Sequence, residues 1–225
     1  PSTSTAIDAA TGGVRISWAA PAALGGVPVL SYLIEIQGSG STWRTDSACD
    51  GTTSPVLSGR TCLIPMASLV AAGAHALAFD ALVVVRVSAA HVRGFGPASS
   101  PNSTGARVRQ APAAMSAPTK GATTSDSQVE VLWSAVTAPG LPTGNSPVLR
   151  YQLLWDNGQP ARTDFLLLVE TTSPGYTLVG VTEGTTYRFR IRAVNIYGPG
   201  PVSAPASIRA SDIPSRMDPP SMALV

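Results

Sequence analysis

Two stretches of the chain alternate apolar and polar residues and close on a tryptophan: Val14-Arg15-Ile16-Ser17-Trp18 and Val129-Glu130-Val131-Leu132-Trp133. A period of two predicts a strand with one buried face. A Gly/Pro-rich turn follows each, and then a second alternating run. These runs are Pro28-Val29-Leu30-Ser31-Tyr32-Leu33-Ile34-Glu35-Ile36 and Pro147-Val148-Leu149-Arg150-Tyr151-Gln152-Leu153-Leu154-Trp155. Tyr32, Ile34 and Ile36 fall on one face, as do Tyr151, Leu153 and Trp155. Late in each half come Val83-Val84-Val85-Arg86-Val87-Ser88-Ala89 and Tyr187-Arg188-Phe189-Arg190-Ile191-Arg192-Ala193, each followed by a loop with paired glycines, Gly94 and Gly96 or Gly198 and Gly200. The spacing between halves drifts from 115 (Trp18 to Trp133) to 119 (Tyr32 to Tyr151) to 104 (Gly94 to Gly198). A drifting offset means one framework carrying loops of different length. Each half holds six or seven short strands, with too few residues between them for crossover helices. The expected fold is all-β: two tandem seven-stranded antiparallel β-sandwiches, each a pair of sheets packed face to face.

Composition agrees with that pattern. Glycine (21) and proline (20) are frequent in the 225 residues, which favours turns over long helices. Only 12% of residues are charged while 44% are hydrophobic, so the chain can fill a core. The formal charge of +2 gives no bulk attraction to nucleic acid, which is not an expected partner. No apolar run approaches the ~20 residues that span a bilayer, so direct membrane insertion is not expected either.

Candidate chemistry is sparse. The histidines are His75, in a stretch that reads as a turn, and His91, read as a loop residue just past a strand. No cluster has zinc-ligand spacing, and there is no phosphate loop, nucleophile elbow or His-Glu-x-x-His helix. No enzymatic activity, metal or cofactor is expected.

The marked residues in both halves resemble those of fibronectin type III domains. That family carries a tryptophan closing its second strand, here Trp18 and Trp133, and a tyrosine in its third, here Tyr32 and Tyr151. Its late signature is matched in full by Tyr187, Phe189, Ile191, Ala193, Asn195 and Gly198. The first half departs from it, with Val83 at the tyrosine position and His91 at the asparagine position. The resemblance covers about residues 5–110 and 115–213. It implies a structural core around Trp18, Tyr32, Trp133, Tyr151 and Tyr187. In such sandwiches a corner tyrosine sends its hydroxyl back to nearby backbone; Tyr187 is expected to reach Val181-Gly184, a tie that Val83 cannot make. The stretch Thr61-Leu69 is also similar to repeats of long protist surface proteins.

Other features bear on compartment and contacts. Cys49 and Cys62 are either a disulfide, worth about 3 kcal/mol for so short a loop, or two buried thiols. A bridge implies an oxidising compartment, extracellular or cell-surface. Asn102-Ser103-Thr104 is a glycosylation triplet, with Asn102 as the candidate acceptor. All basic residues except Lys120 are arginine. Arg188, Arg190 and Arg192 alternate along one strand and are the candidate contact surface, because guanidinium forks bind carboxylate, sulfate or phosphate. The alternative is a solvated face paired with neighbouring acids. The first half offers only Arg86 on the matching face.

The expected division is a domain over 1–111, a second over 112–214, and a linker or tail over 215–225. A short proline-bearing connector, Gln110-Pro118, reads as semi-extended. The chain is expected to be a segment of a longer array: a structural or adhesive, non-enzymatic spacer of an extracellular or surface-fibre protein. Its expected partners are proteins, in particular neighbouring modules of a fibre, with an acidic glycan as a further candidate. Spacer modules of a secreted enzyme or receptor, and intracellular scaffold modules, are the alternatives.

Overall fold

The structure is a computed structural model and describes residues 2–22 and 27–211. The expected tail over 215–225 lies outside the described residues. The chain divides into two compact units, one built mainly on Pro1–Ala111 and the other on the residues from Pro112 onward.

In the first unit, the strands are β1 (Thr3–Ile7), β2 (Val14–Trp18), β3 (Ser31–Gln37), β4 (Trp43–Arg44), β5 (Thr61–Ile64), β6 (Val85–His91) and β7 (Gly94–Phe95). One sheet has the order β1-β2-β5 and the other β4-β3-β6-β7. All these pairings are antiparallel. Alternation does the sorting: in β2, Val14, Ile16 and Trp18 are buried, and in β3, Tyr32, Ile34 and Ile36 are. The two inner faces meet in one core, where Trp18 lies edge-on to Tyr32 with ring centroids 5.3 Å apart. Truncating such a tryptophan typically costs ~3–5 kcal/mol.

Two short helices interrupt the strand pattern, α1 (Ser54–Gly59) and α2 (Met66–Val70). Each starts beside a proline, Pro55 inside the first turn of α1 and Pro65 just before α2. Helix α1 ends at Arg60, which takes a left-handed conformation. The Cys49–Cys62 disulfide pins the loop carrying α1 to β5, with Cα atoms 5.2 Å apart. Directly after Cys49 the chain presses against β3, and a Cβ on Gly51 would stand 2.0 Å from the Tyr32 carbonyl oxygen. Only glycine fits there.

The second unit repeats the plan with β8 (Thr119–Lys120), β9 (Gln128–Leu132), β10 (Arg150–Trp155), β11 (Leu166–Thr171), β12 (Gly175–Val179), β13 (Thr186–Asn195), β14 (Gly198–Pro199) and β15 (Ala206–Arg209). One sheet is β8-β9-β12; the other is β11-β10-β13-β14, with β15 pairing β13 beyond β14. Here the last strand is split between β14 and β15, so this sandwich has eight segments. Trp133 meets Tyr151 edge-on at 5.9 Å, and Trp155 stacks on Tyr187 at 6.1 Å. The Tyr187 hydroxyl accepts a hydrogen bond from the Thr182 N–H at 2.9 Å, and the Tyr151 hydroxyl accepts one from Val136 N–H at 2.9 Å.

Val83, buried without a hydroxyl, occupies the position of Tyr187 in the first unit. There the edge is tied by Asn102, whose Oδ1 accepts from Val85 N–H at 2.7 Å and whose Nδ2 donates to the carbonyls of Val83 (3.0 Å) and Thr104 (2.9 Å).

Replacing both Cys49 and Cys62 by Ser should lower the stability of the first domain by about 3 kcal/mol and leave the second transition in place. Denaturant unfolding followed separately through each domain's tryptophans measures this. Tyr187→Phe strands the Thr182 N–H and should destabilise the second domain by about 1–2 kcal/mol in the same assay.

Candidate interaction surface

The interiors are filled by side chains, so contact with other molecules falls to the outer faces. Strand β13 has the sharpest division. Tyr187, Phe189, Ile191 and Ala193 are buried, while Arg188, Arg190 and Arg192 lie half-buried on the other face. The structure brings the three arginines to one face but gives each a different environment.

Arg188 is a structural clamp. Its Nε donates to Asp156 Oδ2 at 2.8 Å, and its Nη2 donates to the carbonyls of Pro160 (2.9 Å) and Arg162 (2.6 Å). Asp156 is fully buried, and its other oxygen accepts from the Arg188 backbone N–H. The pair therefore fastens the loop between β10 and β11. Arg192 donates from Nε to Gln152 Oε1 at 2.6 Å. Gln152 in turn donates to Glu170 on β11, and Glu170 is ion-paired with Arg150 at 3.1 Å. The Gln152 amide, and then Arg150, hold the Glu170 carboxyl below the usual carboxylate range.

Arg190 has neither arrangement. Its guanidinium lies 4.7 Å from the centroid of the Phe165 ring, and its enclosed Nε has no hydrogen-bond acceptor. Its cross-strand neighbour is Leu154, which in turn faces Leu167 on β11. Leu166 and Leu167 are exposed on this edge strand.

The matching position in the first unit is Arg86, opposite Glu35. There Nε and Nη2 form a forked bond to the Glu35 carboxylate, at 2.7 and 3.1 Å, and the guanidinium lies 4.2 Å from the Trp43 centroid. Hydrogen bonding to Glu35 raises the Arg86 pKa above its ordinary value.

Asn102, the candidate glycan acceptor, spends both amide hydrogens on backbone carbonyls, so a sugar on Nδ2 would displace one of these bonds. His91 is the last residue of β6 rather than a loop residue, because its Cα pairs with Gly94 across the hairpin. His75 does lie in a turn and is buried, with Nε2 3.3 Å from Asp46 Oδ2. Asn195 donates to the Thr143 carbonyl at 2.9 Å. Among the described residues no cluster of His, Cys, Asp or Glu is placed to hold a metal ion, and no helix is long and apolar enough to cross a membrane. Sequence reasoning missed the Asp156 partner of Arg188 and the serines Ser99 and Ser203. Their hydroxyls accept from the N–H groups of Val87 and Ile191 at equivalent places in the two units. The equal 104-residue spacing from Ser99 to Ser203 and from Gly94 to Gly198 was the available signal.

Comparison with known families decides the second unit. The fibronectin type III domain model matches residues 113–209. The second unit is a fibronectin type III domain. Several solved structures are also similar to the chain. The sixth fibronectin type III domain of human fibronectin type III domain containing protein 3 is 19% identical, covering 52% of this chain and 100% of that one, with a TM-score of 0.38. A three-domain fragment of titin is 16% identical over 89% of this chain and 59% of that one (TM-score 0.48). The FN1-FN3 domains of chicken CNTN1 are 17% identical over 89% and 63% (TM-score 0.39). No curated protein matches the chain significantly. Fibronectin type III domains are generally non-catalytic interaction or spacer modules of multi-domain proteins.

Because Glu170 is held in its ionised form, its contribution to stability is complete above the unfolded glutamate value and fades as pH falls through the lower, folded one. Carboxyl carbon NMR should show Glu170 titrating below free glutamate, and Gln152→Ala should move its midpoint back up.

Proposed function

We propose that this chain is a non-enzymatic structural and adhesive segment of a longer extracellular or surface-fibre protein. Its tandem fibronectin type III modules, over 1–111 and 112–214, hold distance and present sheet faces to protein partners. The observation that carries this reading is the Cys49–Cys62 bridge, which ties the first module's α1 loop to its core strand β5. A bridge of that kind persists in oxidising compartments. The filled cores support it, because the burial on which each sandwich depends leaves only outer surfaces for recognition. Protein neighbours, including other modules of the same fibre, would meet the outer face of β10, β11 and β13.

The test uses the native source. An antibody against the folded chain should bind intact cells or particles, and alkylation without prior reduction should leave Cys49 and Cys62 unmodified. Binding only after lysis, or alkylation of both thiols in unreduced protein, would overturn the extracellular assignment.

A further inference from the structure

The two domains carry the same arginine on the same outer face, and they differ in what completes it. Register fixes the equivalence. Arg86 stands opposite Glu35, one position after buried Val85; Arg190 stands opposite Leu154, one position after buried Phe189. In each case an aromatic residue, Trp43 at the start of β4 or Phe165 just before β11, receives the guanidinium against its ring. Two of the three parts are therefore conserved between the domains, and the third, the carboxylate, is replaced by an apolar side chain.

The consequence is electrostatic. Arg86 is neutralised within its own domain by a forked pair. Arg190 forms no ion pair among the described residues, although Arg188 has Asp156 and Arg150 has Glu170. The stack on Phe165 holds the fork in place. Only its Nε is fully enclosed and unpartnered; the terminal nitrogens are not enclosed. The guanidinium is thus oriented in advance, which reduces the ordering cost of binding. Beside it the row continues through Leu154 to exposed Leu167 on the open edge of the sheet. A complementary partner presents a carboxylate with apolar side chains next to it.

We propose that Arg190 is the anchor of a binding site for an acidic, strand-like segment of a partner protein, whose Asp or Glu carboxylate pairs with the terminal guanidinium nitrogens left open beside Leu154. Phe165 orients the anchor, and Leu154 and Leu167 receive the flanking apolar side chains. Paired donation from the two terminal nitrogens favours a planar carboxylate. Arg188 and Arg192 do not share this role, because their donors are engaged by Asp156, the loop carbonyls and Gln152. The proposal rests on the reading of the chain as an interaction module. Its test uses the purified chain, so it can fail independently of where the native protein resides.

The full 225-residue chain, labelled with nitrogen-15 arginine, is titrated with a peptide alternating Glu and Val, and with its Gln-for-Glu counterpart. Arg190→Lys assigns the Arg190 Nε–H resonance. The acidic peptide should shift that resonance and the Gln peptide should not. Arg190→Gln should weaken binding at least about tenfold. Leu154→Glu should do the same while keeping the arginine, because it supplies an internal carboxylate; thermal unfolding checks that each variant is folded, and if Leu154→Glu is not, Arg190→Gln decides. An unmoved Arg190, equal binding of the Gln peptide, or unchanged affinity in the folded variants would overturn the proposal. So would a heparin fragment that shifts Arg190 and displaces the peptide at equal or lower concentration, since that outcome assigns the site to sulfate.

Discussion

In each sandwich a tryptophan closing a strand of one sheet meets, edge-on, a tyrosine from the other sheet. Trp18 with Tyr32, and Trp133 with Tyr151, join the inner faces that alternation has made apolar. Everything else is arranged around that contact. The strands can be short because the aromatic pair supplies much of the buried area in one place. The same burial fills the interior of each sandwich with side chains. Both indole N–H groups are enclosed without a hydrogen-bond partner, a polar cost accepted where the ring fills the gap between layers. Recognition is thereby confined to side chains facing away from the core.

The two domains solve the problem of the sheet edge differently. In the second, Tyr187 spans the corner with its hydroxyl, and β15 pairs with β13 through four successive residues. In the first, Val83 has no hydroxyl to offer; an isolated bridge joins Leu82 to Arg107, flanked by backbone bonds from Val83 N–H to the Ala106 carbonyl and from Val108 N–H to the Ala81 carbonyl. Asn102 extends this edge, its side-chain amide accepting once and donating twice to backbone groups. The disulfide adds constraint in the opposite sheet, at β5. Both devices belong to the domain that lacks the tyrosine, so its departures from the family pattern form a consistent set.

Which features could be read in the sequence follows from the range of the interactions involved. The strands β2, β3, β6, β9, β10 and β13 are legible because burial of one face writes a period of two into five or more consecutive residues. The side on which Arg188, Arg190 and Arg192 lie follows from the same alternation. Their partners do not, because Asp156 is 32 residues from Arg188 and Gln152 is 40 from Arg192, and only the fold brings them together. Helices α1 and α2 were hidden for another reason. At six and five residues they are too short for helical periodicity to emerge, and their prolines read equally well as turn signals. His91 was misplaced by one step because a hairpin end is fixed by pairing rather than by residue type.

The difference between Arg86 and Arg190 shows what a repeat within one chain can reveal. The two domains share their strand order, their aromatic cores and the cation–aromatic stack on the outer face. Glu35 and Leu154 differ by a full charge at a place where the guanidinium is otherwise held alike. The exchange removes a partly buried, forked ion pair from the second domain's version of this position. Its main effect is on what the surface offers to other molecules: one arginine answered within its own domain, and one left to be answered from outside.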